Sequence, residues 1–288
     1  MKPTTLRNVL RTALLLLPAS VFAQTSYTVG VINIPNASLG LTQANGIDAN
    51  NQVVGTFEDV NGEHGFRLSG GVLTSVDEPG TNSTSATAID STRGIVGETY
   101  LSNTFYSYKD GNRTMNTISH GANKFVTGIN PSGTMVGYDN LNRGFVYSGG
   151  VYTYIVPTVC SGLQAPVLVR INGINSHGDM VGYCGGNNGR YGWARVNGVD
   201  QVISAFGLTT TPFGINDSGL IVGAFIDSFA GEHGFLYSAG AVTQFDFQLG
   251  GTLYYDTNLF AVNNKGSVVG TGVDPNTGAS TALYAFAN

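Results

Sequence analysis

The sequence predicts an all-β protein: a six-bladed β-propeller with four antiparallel strands per blade, closed by an N-terminal strand that completes the last blade. Three observations carry this. The 288 residues include 41 Gly and only 11% charged side chains, with few Lys-, Glu- or Leu-rich stretches, which fits strands joined by tight turns better than helices. One ten-residue pattern recurs six times, at 46–55, 88–97, 128–137, 173–182, 214–223 and 261–270, with closing glycines 40 to 47 residues apart. Such a period belongs to propeller blades or solenoids. The sixth copy runs out after its third strand, while an unmatched strand of the missing type, Tyr27–Ile34, precedes the first copy. Ring closure explains both ends and removes exposed sheet edges. A linear solenoid would need capping repeats, and none is visible.

Ahead of the repeats, Lys2, Arg7 and Arg11 precede an apolar run around Leu14–Leu17, and Val21-Phe22-Ala23 offers small residues for a peptidase. Residues 1–23 therefore read as a signal peptide, too short an apolar stretch to anchor in a bilayer. Residues 24–288 read as one propeller domain, secreted or periplasmic and monomeric. Losing the three leader cations takes the formal charge from −5 to −8. An acidic protein without basic runs is a poor ligand for nucleic acid or an anionic membrane, and both are excluded as partners.

Within each copy, strand A ends in Ile-Asn or Ile-Asp and turns through Gly133, Gly178, Gly219 and Gly266, with Asn51 in the first copy and Arg93-Gly94 in the second. The glycines and Asn51 tolerate positive φ, and Arg93 is the exception, with Gly94 beside it. Strand B follows as Val-Val-Gly or an equivalent. Strand C carries an aromatic segment such as Gly65-Phe66 or Gly192-Trp193. Two-residue turns (Gly70-Gly71, Asp110-Gly111, Gly149-Gly150, Asn197-Gly198, Ala239-Gly240) then give a strong hairpin signal. Strand D is expected at Leu73–Val76, Thr114–Ile118, Tyr152–Val156, Asp200–Ser204 and Val242–Phe247.

The Ile-Asn-x-x-Gly-x-x-Val-Gly segment, followed by His-Gly-Phe at 64–66 and 233–235 and Tyr-Ser-x-Gly at 147–150 and 237–240, resembles the HAF repeat of bacterial extracellular proteins. The resemblance covers nearly all of residues 26–288. It departs in having Gly for the middle Ala and in losing the His from four copies. It implies an extracellular repeat protein and brings no catalytic residues.

The A–B and C–D turns are nearly constant in length, whereas the B–C and D–A connections vary, and variable loops on a rigid scaffold are where binding usually resides. The ends of strand B would deliver Phe57, Glu58, Tyr100, Tyr138, Asp139, Tyr183 and Phe225 to the mouth of a central channel. Aromatic surfaces mixed with carboxylates suit a sugar. The preferred expectation is a non-enzymatic binding module for polysaccharide or a cell-surface protein. The alternative is a hydrolase or lyase with a carboxylate pair, Glu58 or Glu98 with Asp139 or Asp227. Cys160 and Cys184 are expected to form a disulfide. No cofactor motif is present. Asp59, Asn61 and Glu63 alternate as a calcium loop would, but without its later bidentate Glu, so a solvated acidic turn is the better reading. His64 and His233, each within Gly-Glu-His-Gly-Phe, are expected to be structural.

Overall fold

A computed structural model describes residues 26–288 except 39–40, 78, 82, 102–103, 111–123, 164–166, 187–188 and 207–208; the side chains of 100–101, 104–110, 186 and 189 also lie outside the description. The expected signal peptide, the Asp110-Gly111 turn and the expected strand Thr114–Ile118 fall wholly or partly outside the described residues.

The fold is a β-propeller. Strand β1 (Tyr27–Val31) is followed by a first sheet of β2 (Gln43–Ile47), β3 (Val53–Asp59), β4 (Gly62–Ser69) and β5 (Val72–Ser75). Next come β6 (Ser83–Asp90), β7 (Gly94–Leu101) and β8 (Thr104–Asp110), then β9 (Lys124–Ile129), β10 (Met135–Asp139), β11 (Gly144–Ser148) and β12 (Val151–Tyr154). The fourth sheet holds β13 (Leu168–Ile174), β14 (Met180–Gly186), β15 (Gly189–Val196) and β16 (Val199–Ile203). The fifth holds β17 (Thr209–Ile215), β18 (Ile221–Ile226), β19 (Glu232–Ser238) and β20 (Ala241–Phe245). A small hairpin, β21 (Gln248–Leu249) and β22 (Thr252–Leu253), leads to β23 (Tyr255–Val262), β24 (Val268–Val273) and β25 (Ser280–Ala287).

Five of these sheets have four antiparallel strands, and β6-β7-β8 has three among the described residues. The last sheet has the order β1-β25-β24-β23, with Tyr27 opposite Ala287 and Val31 opposite Leu283. The N-terminal strand thus completes the sheet built by the C-terminal residues. Among the described residues the single helical element is a 3-10 turn at Thr158–Cys160, and no helix is long and apolar enough to cross a membrane.

The repeat now has a physical explanation. In Asn130, Asn175, Asn216 and Asn263, Oδ1 accepts backbone N–H groups of the residue's own A–B turn. Each Nδ2 donates to the backbone carbonyl of the equivalent residue in the following sheet, Asn175, Asn216, Asn263 and Asp48 in turn, at 2.9–3.1 Å. One side chain therefore caps a turn and ties two blades. Asp48 and Asp90 keep the turn-capping role but have no amide to donate.

The closing glycines have a different cause. A Cβ on Gly55, Gly97, Gly137, Gly182, Gly223 or Gly270 would lie 1.8–2.2 Å from a carbonyl oxygen of the facing inner strand. At that point each inner strand carries a bulge, with Asn45, Thr87, Thr127, Asn172, Phe213 and Phe260 left between paired residues. The C–D turns have both central residues at positive φ (Gly70 56°, Gly71 82°; Ala239 49°, Gly240 86°), the geometry that matches strand twist. In the second copy the A–B turn takes its positive φ at Gly94, one residue later than in its siblings.

Candidate functional site

The bulged residues form a belt around the axis. Asn45 donates to Ala86 O, Thr87 to Val126 O, Thr127 to Ile171 O and Asn172 to Pro212 O, each reaching the next inner strand at 2.6–3.0 Å. Between the last two sheets the belt changes chemistry: the Phe213 and Phe260 rings meet edge-on at 5.2 Å. On one side of the belt the axis narrows to about 90 Å³ among Ile47, Ile89, Ile129, Ile174, Ile215 and Val262. On the other side, towards the B–C turns, it opens into a cavity of about 400 Å³. Gln43, Thr56, Glu63, Ser85, Tyr138, Arg170 and Tyr183 line it above the belt.

Strand alternation decides which side chains reach this cavity. The residue directly after the closing glycine faces the axis side, as Thr56, Tyr138 and Tyr183 do. The next residue points into the packing between sheets, where Thr99, Asp139, Cys184 and Phe225 are all buried. Of the expected ligand-binding residues, the structure therefore brings Tyr138 and Tyr183 together and scatters the others. Phe57 is half-buried and stacks on His64 with ring centroids 5.1 Å apart. Glu58 is exposed and faces Glu63 across the hairpin. Phe225 packs in the core against Phe206 and His233. Tyr100 pairs with Ser83 in the sheet, and its side chain lies outside the description.

Asp139 is occupied elsewhere. Its Oδ1 accepts the N–H groups of Leu141 and Arg143, and Oδ2 takes the forked Arg143 guanidinium at 2.6 and 2.9 Å. Burial works against its charge, but these donors outweigh it and hold the carboxyl below its ordinary pKa. Asp227 is likewise held low by the N–H groups of Gly231 and Phe229, closing its own turn. Both are turn-formers.

Two tyrosines at the mouth are tied to arginines. Tyr138 stacks on Phe125 from its own sheet (4.9 Å, 24°), and the Arg170 guanidinium of the following sheet sits 3.5 Å from its ring centroid. Tyr138, packed by both Phe125 and Arg170, borders the cavity. Arg170 also donates to Asn142 Oδ1 at 3.0 Å and lies opposite Tyr183 in the β13–β14 register. Arg190 lies 4.5 Å over Tyr183. Opposite this ladder, Glu63 accepts the Ser83 hydroxyl at 3.1 Å. Half-buried Glu98 has its pKa raised to about 8 by burial and by the neighbouring Glu63 charge.

Cys160 and Cys184 form a buried disulfide that joins the 3-10 turn to β14 (Cα–Cα 6.1 Å). His64 bridges Asp77 and Asp59 at 3.0 and 3.2 Å, and His233 sits equivalently between Asp246 and Asp227. The three residues of the calcium reading do not converge. Asp59 turns to Asn61 N and His64, while Glu63, one residue from His64 on the same strand, projects to the other side of the sheet. Among the described residues no group of three or more His, Cys, Asp or Glu side chains is arranged to hold a metal ion.

Arg170, Phe213, Phe260 and the cavity-lining role of Glu63 escaped sequence reasoning. The available signal was positional: the bulge residue and the residue after the closing glycine recur in every copy.

This architecture places the chain among the β-propellers. No protein-family model and no curated protein matches the sequence. Among solved structures it is similar to a provisionally assigned gluconolactonase (TM-score 0.52, 11% identity, 91% of this chain and 92% of that one). It is also similar to the PQQ-bound aldose sugar dehydrogenase of Streptomyces coelicolor (TM-score 0.49, 11% identity, 92% and 99% covered). Likeness at this identity establishes the fold alone.

Proposed function

We propose that this is a secreted carbohydrate-binding propeller whose site is the axial cavity on the B–C side. The carrying observation is the composition of that cavity: the exposed parts of Tyr183, Phe213 and Phe260 offer apolar ring surface, and Gln43, Asn45, Glu63 and Asn172 add polar groups to the same lining. A sugar presents the complementary pattern, apolar faces and hydroxyl edges. We count β6-β7-β8 as a sixth blade. Export is supported by the leader-like first 23 residues, the resemblance to HAF repeats and the disulfide. Calcium and other cofactors form no part of this reading, and the protein is taken as a monomer.

The test is to incubate purified protein with insoluble plant and bacterial-wall polysaccharides and assay both pellet and supernatant. Retention in the pellet, weakened at least tenfold by Tyr183→Ala, is the expected result; failure to bind any of them overturns the reading.

One observation favours a second, enzymatic reading. Glu98, protonated at neutral pH, beside a second acid, Glu63, is the pairing that general acid–base hydrolysis uses. Oligosaccharides released into the supernatant, and absent with Glu98→Gln, would replace the binding reading with this one.

A further inference from the structure

Arg170 is the most unusual charge in the cavity. Arg143 and Arg195 are each paired with a carboxylate, Asp139 and Asp200, at 2.6 Å. Arg67, half-buried without an acid, gives both Nε and Nη2 to Gln52 Oε1. Arg170 has neither arrangement: no carboxylate among the described residues forms an ion pair with it, and its buried Nε has no hydrogen-bond partner. A half-buried guanidinium left in this state costs free energy unless something else supplies the negative charge.

The same guanidinium is held in place. Tyr138 covers one face at 3.5 Å, with Phe125 backing Tyr138, and Asn142 takes one Nη2 proton at 3.0 Å. It borders the cavity of about 400 Å³ from an inner strand, which fixes its position more firmly than a loop would. A planar fork fixed at the edge of an open cavity, with its counter-charge missing, is the arrangement that receives a carboxylate through two parallel N–H···O bonds.

We infer that the cavity selects sugars that carry a carboxylate, uronic acids above all, with Arg170 as the receptor for that group and the apolar rings beside it taking the sugar's face. This rests on the carbohydrate-binding reading and narrows it to a substrate class. The facing acids are compatible with an anion at neutral pH. Glu63 is engaged by Ser83, while Glu98, with its pKa raised to about 8 by burial and by Glu63, is neutral there and adds no negative charge. Above that pH Glu98 ionises and repels the ligand. Tyr138, whose hydroxyl has its pKa raised chiefly by burial, stays neutral through this range.

The experiment is calorimetric titration of the protein with short oligogalacturonates and oligomannuronates, each against its methyl ester. The acid form of at least one series is expected to bind at least tenfold more tightly than its ester, with the ratio falling to within twofold in Arg170→Gln. Arg170→Lys keeps the charge but loses the fork, so an intermediate ratio is expected, and near-UV circular dichroism checks that each variant is folded. If Arg170→Gln does not fold, the Arg170→Lys ratio decides. Affinity for the acid, and not for the ester, should fall as the pH is raised through 8. Equal binding of acid and ester overturns the inference and leaves the carbohydrate reading standing. An acid preference unchanged in both variants overturns the role of Arg170. Absence of binding to acids, esters and the insoluble polysaccharides alike overturns both.

Discussion

Asp48 occupies the position where four of its siblings are asparagine, and it does only half their work. Its Oδ1 accepts the N–H groups of Asn50 and Gln52, but its Oδ2 is buried without a partner. An amide there would keep the cap and donate across to the next sheet, as Asn130 does to Asn175. Asp48→Asn is therefore expected to stabilise the protein by about 1 kcal/mol, the net worth of one hydrogen bond plus relief of a buried unpaired oxygen; the urea midpoint measures it, and a decrease would sink the argument. His64 gives a second expectation at this scale. Burial opposes its charge, but Asp77 and Asp59 prevail and raise its pKa above the ordinary value. A histidine whose folded pKa is raised contributes stability that is fully present below about pH 6.5 and is lost as the pH rises through the folded value. The imidazole signals in a proton NMR titration should show that raised pKa, and Asp77→Asn should bring it down.

At the scale of the element, the disulfide is the one covalent tie. It joins the entry turn of the fourth sheet to β14 across 24 positions of sequence, inside a core cluster that includes Trp193. Closing a loop of that length stabilises by roughly 3 kcal/mol through the unfolded chain, so Cys160→Ser with Cys184→Ser should lower the melting temperature by several degrees, as should reduction; unchanged melting would show that packing alone holds this corner. Strands, two-residue turns and this pairing were legible in the sequence because each rests on local chemistry: Asn or Gly at positive φ, alternation, an even cysteine count. The cavity was less so. Counting along strand B named Phe57, Asp139 and Phe225 alongside Tyr138 and Tyr183, yet one step of alternation separates the axis from the core. On the inner strands the bulge at Asn45, Thr87 and their equivalents adds a residue, so a strict period of two misassigns everything beyond it. Arg170 gave no sign because its equivalents, Gln43, Ser85, Phe125, Thr211 and Asn258, share no chemistry with it.

For the whole molecule, closure is the property most open to challenge. Repeats alone cannot say whether a chain makes a ring or a rod. What told in favour of the ring was that each end lacked what the other supplied, and β1 does pair with β25 along its full length. Removing residues up to Val31 should strip the last sheet of its outer strand and leave β25 as an edge. The shortened chain is expected to unfold at lower urea and to self-associate, as read by size-exclusion chromatography with light scattering. A monomer as stable as the parent would mean that the contacts between sheets hold the ring without this clasp.

That clasp also sets an order of events. Thr28 and Asn288 bond to each other although 260 positions separate them in the chain. β1 must therefore stay unpartnered until β25 is made, a wait on the order of tens of seconds at ordinary synthesis rates. Throughout that interval the growing chain has neighbouring strands in plenty that resemble the right one, since every copy offers a similar edge. Fidelity in such a molecule depends less on how strongly the final pair binds than on how poorly Tyr27–Val31 fits the earlier, decoy edges. A swap of β1 for the sequence of another outer strand would probe that discrimination directly.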